Sequence, residues 1–413
     1  MAVAFGAYRV SNHSSDHYDA LLSAVNKGCK LIDTSANYTG GESEKLIAQV
    51  LKKAERTPLI VSKVGYVQGE NMNVMGELNS IGQATEDLVK VNDDLWHSIH
   101  PDFIRNQVQL SLSRLEVEKI DVYLLHNPEY YFYEENANQD EYYKRIEKAL
   151  FELEALVSEG LIGSYGISSN NFILSPDDKK VTHIDRVMEC AQNVSSNHHF
   201  THIQFPFNMI EIDALESWYD GLSLLNKAKG HDLQVMVNRP LNAFKGEGLV
   251  RLADYETTHP LIDESEAQRI FVKAMMLLEK KFKEEEPEES IYNLPLIRQF
   301  NDLWNNTNTP DGVDQVYFSH FFPFVARVWG GDLSAKESTP FYDLYDVSLN
   351  YARHNMSKMG KNFEEQAVKA GLIEAGDEPL QVRLIEKYLS YQIDYVLVGM
   401  KDVRYVEQLE HLF

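Results

Sequence analysis

Short runs of β-branched and aliphatic residues alternate along the chain with runs whose apolar positions recur every three or four residues. The first kind predicts strands at 3–8, 29–33 (CKLID), 58–64 (PLIVSKV), 120–125 (IDVYLL), 162–167 (IGSYGI), 201–206 (THIQFP), 233–237 (LQVMV) and 394–399 (DYVLVG). The second predicts helices between them. Leu21, Leu22 and Val25 make one apolar face, and Leu46, Ile47, Val50 and Leu51 a second. Phe103, Val108, Leu112 and Leu115 make a third, and Ile146, Ala149, Leu150, Leu153 and Leu156 a fourth. Strands that alternate with helices form a parallel sheet, and eight of them close a (β/α)8 TIM barrel. A doubly wound open sheet would normally carry G-x-G-x-x-G directly after its first strand. None is there: Gly160, Gly163 and Gly166 have the wrong spacing and sit inside a strand pattern.

Three segments break the alternation. Residues 65–100 and 127–141 read as long polar loops after the third and fourth strands. The largest break, 243–380, falls between the seventh and eighth strands and holds at least three helical patterns, one of them built on Ile270, Ala274, Leu277 and Leu278. Within it EEEPEES (284–290) reads as a turn or linker, and VYFSHFFPFVARVW (316–329) as buried helix packing, with a pocket wall as the other reading. The acidic strings 263–266 and 284–289 read as solvated helix faces. No internal repeat of solenoid period is visible. The expected organisation is an α/β fold, a (β/α)8 TIM barrel made of 1–242 and 381–413. A large helical insertion, 243–380, is expected to pack on it.

Composition narrows the partners. An apolar share of 44% can bury a large core and excludes global disorder. Lys and Arg total 39 against 63 Asp and Glu, a formal charge of -24. Such a surface repels phosphate backbones, so neither nucleic acid nor an anionic membrane is an expected partner. Any anionic cofactor must then be held by a local basic cluster. Two cysteines, Cys29 and Cys190, make no disulfide framework and read as small core residues in a reducing compartment. MAVAFGAYRV lacks the charged-then-apolar pattern of a signal peptide, and no run of about 18 apolar residues predicts a membrane span. A cytoplasmic protein is expected.

In a barrel of this kind the chemistry sits where strands end and loops begin. Those positions hold Asp33 and, on the loop beyond it, Tyr38; Lys63; His126; Ser168, Ser169 and Asn170; Gln204; Asn238 and Arg239; and Lys401 and Arg404. Each has a structural alternative: Asp33 as a helix N-cap, Tyr38 as one packing aromatic among 22 tyrosines, His126 as a satisfied core histidine. A lysine ending a buried strand is harder to dismiss, because it needs a partner, and Asp33 on the adjacent strand is the natural one. The four together assign roles. Phenol ionises near pH ~10, and an adjacent ammonium is expected to lower that value. Asp33 would hold Lys63 charged, Tyr38 would act as general acid toward a carbonyl oxygen, and His126 would hydrogen-bond the same oxygen. An assembly that protonates oxygen needs a hydride for carbon, which a nicotinamide supplies.

Five segments carry a resemblance to a known family. LIDTSANYTGGESEKLIAQVL (31–51) resembles the aldo-keto reductase signature DTA-x-x-Y-G-x-E-x-x-I-G. VSKV (61–64), DVYLLHNPE (121–129), GLIGSYGISSNNF (160–172) and IQFPFN (203–208) resemble its later motifs, in family order. The resemblance covers about 1–240 and 381–413 and leaves out 243–380. It implies a catalytic tetrad of Asp33, Tyr38, Lys63 and His126 and a nicotinamide dinucleotide cofactor, most often NADP, with NAD possible. It implies that the carboxamide is fixed by Gln204 and by a pair after the fifth strand, either Ser168 with Ser169 or Ser169 with Asn170. It further implies that Lys401 and Arg404 meet the adenosine 2′-phosphate and that Gln408 reaches adenine, with an exposed helix start as the other reading. One departure stands out: VNRPL (237–241) puts Asn238 where the family usually has an aromatic that stacks on the nicotinamide, while Arg239 adds a positive charge for the pyrophosphate.

Two weaker clusters remain. His198, His199 and His202 lack a Cys or carboxylate at ligand spacing and read as surface histidines. Tyr130, Tyr131, Phe132 and Tyr133 read either as substrate contacts or as loop packing. The expected function is an NAD(P)(H)-dependent oxidoreductase interconverting a small-molecule carbonyl (aldehyde, ketone or sugar) and its alcohol. The alternative is a cofactor-binding regulatory or interaction protein built on the same barrel.

Overall fold

Every β-branched run becomes a strand of one closed parallel barrel. The strands are β1 (Ala2–Gly6), β2 (Leu31–Asp33), β3 (Leu59–Val64), β4 (Ile120–His126), β5 (Ile162–Ser168), β6 (Phe200–Pro206), β7 (Gln234–Asn238) and β8 (Tyr395–Val398). Each neighbours the next in sequence, and β8 closes onto β1. The computed structural model describes residues 1–83, 86–245, 248–255, 257, 259–331 and 333–413. Ala84 and Thr85 of the predicted loop 65–100, and five positions of the segment 243–380, lie outside the described residues.

The barrel interior is filled by a layer of Ala4, Leu31, Val61, Val122, Leu124, Met236 and Leu397, the inward-pointing side of the period-2 alternation. Gly166 is required where β5 meets β6: a Cβ there would lie 1.9 Å from the His202 carbonyl oxygen. The surrounding helices are α1 (Ser15–Asn26), α2 (Glu42–Leu51), α3 (Pro101–Leu115), α4 (Gln139–Ser158), α5 (Ile184–Val194), α6 (Leu224–Gly230), α7 (Leu380–Leu389) and α8 (Val403–Leu409). Their starts use side-chain caps. Ser14 accepts from His17 N–H, Asn138 from Glu141 N–H, and Ser223 from Asn226 N–H.

Two predicted loops are structured. Residues 65–100 contain a helix, Glu70–Ser80, and a three-stranded sheet of Tyr66–Val67, Val89–Asn92 and Leu95–His97. The helix buries only Asn71, Met75 and Leu78, so a narrow apolar stripe among Asn, Gly and Glu hid its period. Residues 127–141 contain a 3₁₀ turn, Pro128–Tyr133, and α4 already begins at Gln139. The histidine trio also needs correction. His202 points inward on β6 and is buried, which pushes its imidazole down to about 4, so it is a core residue rather than a surface one. His199 is held by Glu154 at 2.6 Å.

The chain divides into two compact units, Met1–Leu249 with Val382–Phe413, and Val250–Gln381. The second unit is helical, with Glu264–Glu285, Pro295–Leu303, Pro310–Val316, Phe322–Trp329 and Ala335–Lys369. It has its own aromatic core: Phe271 stacks on Trp304 at 4.7 Å and Phe300 on Phe321 at 4.0 Å between centroids. The 316–329 patch is helical and supplies Tyr317, Phe321, Phe324, Val325 and Val328 to that core. Among the described residues no helix is long and apolar enough to cross a membrane.

Candidate active site

The parallel register lines up the strand ends. His126 of β4 pairs with Ser168 of β5, which pairs with Gln204 of β6. On the other side of β4, Lys63 of β3 is opposite Leu124, and Asp33 of β2 is opposite Val61. Side chains from five consecutive strands therefore meet at one end of the barrel.

At its centre Lys63 is fully buried. Its Nζ donates to Asp33 Oδ2 at 2.7 Å, to the Thr34 carbonyl at 2.9 Å and to the Tyr38 hydroxyl at 3.2 Å. All three ammonium protons are used, which offsets the cost of removing the charge from water. The other carboxylate oxygen of Asp33 accepts from Gln204 Nε2 at 2.8 Å. Tyr38 reaches this point from a tight turn, Tyr38–Gly41, in which Thr39, Gly40 and Gly41 all have positive φ. Its ring is part-exposed, while its hydroxyl lies on the buried ammonium. His126 meets the Tyr38 ring edge to face at 5.9 Å.

The electrostatics overturn one expectation. The Tyr38 phenol is held well above its ordinary value, first by burial and then by the Asp33 carboxylate. The net effect is therefore opposite to the lowering expected from the adjacent ammonium. Burial pulls Lys63 down, and Asp33 opposes that pull. Burial, then Lys63 and His97, hold His126 well below its ordinary value, so its imidazole is neutral at physiological pH.

Beside the tetrad, Ser168 Oγ donates to Gln204 Oε1 at 2.9 Å, and Asn238 Nδ2 reaches the same oxygen at 3.4 Å. Asn238 Oδ1 is buried without a hydrogen-bond partner among the described residues. Ser169 turns elsewhere: its hydroxyl pairs with Thr182 at 2.8 Å and accepts from Asn171 N–H. The backbone N–H of Asn170 is bound by Glu129 at 2.8 Å. The basic residues do not form one open set. Arg239, in the left-handed region at φ 56, is ion-paired with Glu211 at 2.7 Å. Arg404 is closed onto Asp402 at 2.7 Å, the residue that caps α8. Lys401 is exposed ahead of that helix, and Gln408 lies on it.

Tyr130, one of the four loop aromatics singled out from the sequence, belongs to an aromatic wall whose other members, His97 and Tyr66, the sequence did not flag. His97 donates from Nε2 to the His126 carbonyl at 2.7 Å and stacks on Tyr130 at 5.2 Å. Burial pushes the His97 imidazole down to about 4. Tyr66 faces His126 at 4.8 Å and accepts from Asn127 Nδ2 at 2.6 Å. Tyr66 follows Lys63 closely enough to have been suspected; His97 belongs to the small sheet that went unpredicted.

The family model described as Aldo/keto reductase family matches residues 2–284. The chain belongs to the aldo/keto reductase family. Among curated proteins it is similar to the NADH-specific methylglyoxal reductase of Escherichia coli (strain K12), 26% identical over 219 residues, 52% of this chain and 50% of that one. It is also similar to aldo-keto reductase family 1 member A1 of Rattus norvegicus, 27% identical over 168 residues, 34% of this chain and 50% of that one. The chain spans about half the length of the curated relatives it matches. Among solved structures it resembles an aldo/keto reductase from Klebsiella pneumoniae in complex with NADP and acetate. That match has 20% identity and a TM-score of 0.37, over 58% of this chain and 64% of that one. A glycerol dehydrogenase from Gluconobacter oxydans matches at 19% identity and a TM-score of 0.39, over 84% of this chain and 92% of that one.

Proposed function

We propose that this aldo/keto reductase interconverts a small aldehyde, ketone or sugar carbonyl and its alcohol with NADP, or NAD, as cofactor. The observation that carries the reading is the Lys63 ammonium bonded at once to Asp33 and to the Tyr38 hydroxyl. The carboxamide of the dinucleotide fits the polar groups beside that cluster. Ser168 and Gln204 offer a hydroxyl and an amide, and the unpartnered Asn238 Oδ1 is an acceptor for an NH2 group. Arg239, Lys401, Arg404 and Gln408 are the residues that would meet its phosphates and adenine. When bound, the nicotinamide supplies or accepts the hydride.

The chain's own groups move the proton. Tyr38 keeps its phenol protonated at neutral pH and donates to the carbonyl oxygen as negative charge builds there. Lys63 stabilises the phenolate that forms, because the ammonium is already aimed at that oxygen. Asp33 positions Lys63, and neutral His126 orients the substrate. In the oxidative direction the same phenol oxygen receives the proton. The methylglyoxal reductase relative supports an aldehyde or ketone as the group acted on.

Tyr38→Phe is the test. Turnover with a panel of aldehydes, ketones and sugars is expected to fall about 10²- to 10⁴-fold, with dinucleotide binding by fluorescence retained. Wild-type turnover in the variant would remove Tyr38 as the acid. Dinucleotide binding by the wild type without turnover of any panel member would favour a cofactor-binding regulatory protein instead.

A further inference from the structure

Successive backbone groups after β5 are held in place, the last of them by a side chain. β4 and β5 pair as far as His126 and Ser168. One step beyond, Asn127 N–H donates to the Ser168 carbonyl at 2.7 Å, and Ser169 N–H donates to the Gln204 carbonyl at 2.9 Å. There the backbone ladder runs out. The chain enters a 3₁₀ turn, Asn170–Ile173, whose first N–H groups find no acceptor inside it. Ser169 Oγ accepts the Asn171 N–H at 3.1 Å. The Asn170 N–H goes instead to Glu129 Oε1 at 2.8 Å, on the turn Pro128–Tyr133 that follows β4. A carboxyl thus continues the β4–β5 pairing past the ends of both strands.

That carboxyl is an expensive way to satisfy one N–H. Glu129 is buried, and its Oε2 has no hydrogen-bond partner among the described residues. A hydroxyl would serve, as Ser169 does for Asn171, without burying an ionisable group and leaving one of its oxygens unmet. The turn it holds adjoins the candidate chemistry. Ser168 Oγ bonds Gln204 Oε1, Gln204 Nε2 bonds Asp33, and Asp33 bonds Lys63. Arg404 and Gln408, assigned to the adenosine end, sit on α8 after β8, and β6 and β7 lie between β8 and β5. Slack in this turn would therefore reach one end of a bound dinucleotide and spare the other.

We propose that Glu129 is a positioning residue for the nicotinamide end of the dinucleotide: its carboxyl fixes the turn at Ser169 and Asn170 and so keeps the adjoining Ser168 hydroxyl aimed at the carboxamide. It acts through the Asn170 N–H, not by touching the dinucleotide. This rests on the dinucleotide reading above.

Binding is read by titration calorimetry on the full chain with two probes, NADPH and 2′-phospho-ADP-ribose, the same molecule without its nicotinamide. NADH and ADP-ribose replace them if the wild type binds NADH more tightly. Glu129→Leu removes the acceptor, and Glu129→Asp leaves it one methylene short of the Asn170 N–H. Both are expected to bind NADPH about tenfold more weakly, the worth of one hydrogen bond, and to bind 2′-phospho-ADP-ribose as the wild type does. Glu129→Gln keeps an acceptor and is expected to restore NADPH binding. Should the leucine variant not fold, the aspartate variant carries the comparison. Equal losses on both probes would reduce Glu129 to general support of the fold and overturn the proposal. Unchanged NADPH binding in the leucine and aspartate variants, or a glutamine variant as weak as they are, would overturn it too. Failure of the wild type to bind any of the probes would overturn the dinucleotide reading and this proposal with it, whereas the other results leave that reading standing.

Discussion

Lys63 lies buried against Asp33, and that carboxylate acts on Tyr38 in the sense opposite to the ammonium. Desolvation then sets the phenol, which stays protonated until a developing oxyanion draws the proton away. The same competition between burial and partners is measurable at Glu129. Its carboxyl accepts the Asn170 N–H, yet burial raises it from an ordinary 4.5 to about 7. Between those values the folded state holds a proton that the unfolded state has released. Stability therefore falls as pH rises through that window and levels off above it, by about 3 kcal/mol at most. Glu129→Gln keeps a carbonyl for Asn170 and has no proton to lose. The drop in urea midpoint from pH 5 to pH 8 should shrink in the variant, and an equal drop would refute the assignment. Asp33, Lys63 and His126 were legible because each lies at or one residue before a strand's end, where a polar residue after an apolar run is conspicuous. His97 and Glu129 were not, because an imidazole or a carboxyl gains meaning here only from a neighbour dozens of residues away.

Among the elements, the barrel strands were readable because each is buried and β-branched, so its signal needs no partner. The segment 65–100 was not: its strands are two to four residues long and gain their pairing from one another and from the barrel's end. Gly65 is the joint. It follows β3, accepts the Ser98 N–H at 2.8 Å, and passes so close to β4 that a Cβ would meet the His126 carbonyl oxygen at 2.3 Å and His97 Nε2 at 2.5 Å. Backbone and a packed ring occupy that space, and neither yields easily. Gly65→Ala should break the His97–His126 hydrogen bond, shift His126, and cost about 1–3 kcal/mol of stability along with most of the turnover. Gly76→Ala is the control, since its Cβ would meet nothing within 4 Å on the helix Glu70–Ser80. Equal melting temperatures and rates for the two variants would remove Gly65 from this role.

Over the whole molecule, a net charge of -24 opposes an anionic dinucleotide, and the question is which cations answer it. The sequence put Lys63, Arg239, Lys401 and Arg404 at strand ends, which suggested an open basic set. Three of them are instead already matched by a carboxylate at 2.7 Å: Lys63 by Asp33, Arg239 by Glu211 and Arg404 by Asp402. Charge type and strand position can be read along a chain; whether an acid folds onto the base cannot. The consequence is a sign. Unpaired cations gripping phosphate would lose affinity as salt screens them, whereas paired cations under a strongly negative surface leave repulsion as the larger screened quantity. Raising NaCl from about 20 to about 200 mM shortens the Debye length roughly threefold. It is expected to tighten NADPH binding about twofold in a fluorescence titration, because the phosphates then approach a surface whose distant acids no longer reach them. A tenfold loosening over the same range would mean that Arg239 or Arg404 breaks with its carboxylate to meet the phosphates, rather than meeting them while still paired. In that case Glu211→Gln or Asp402→Asn should bind more tightly than wild type at low salt.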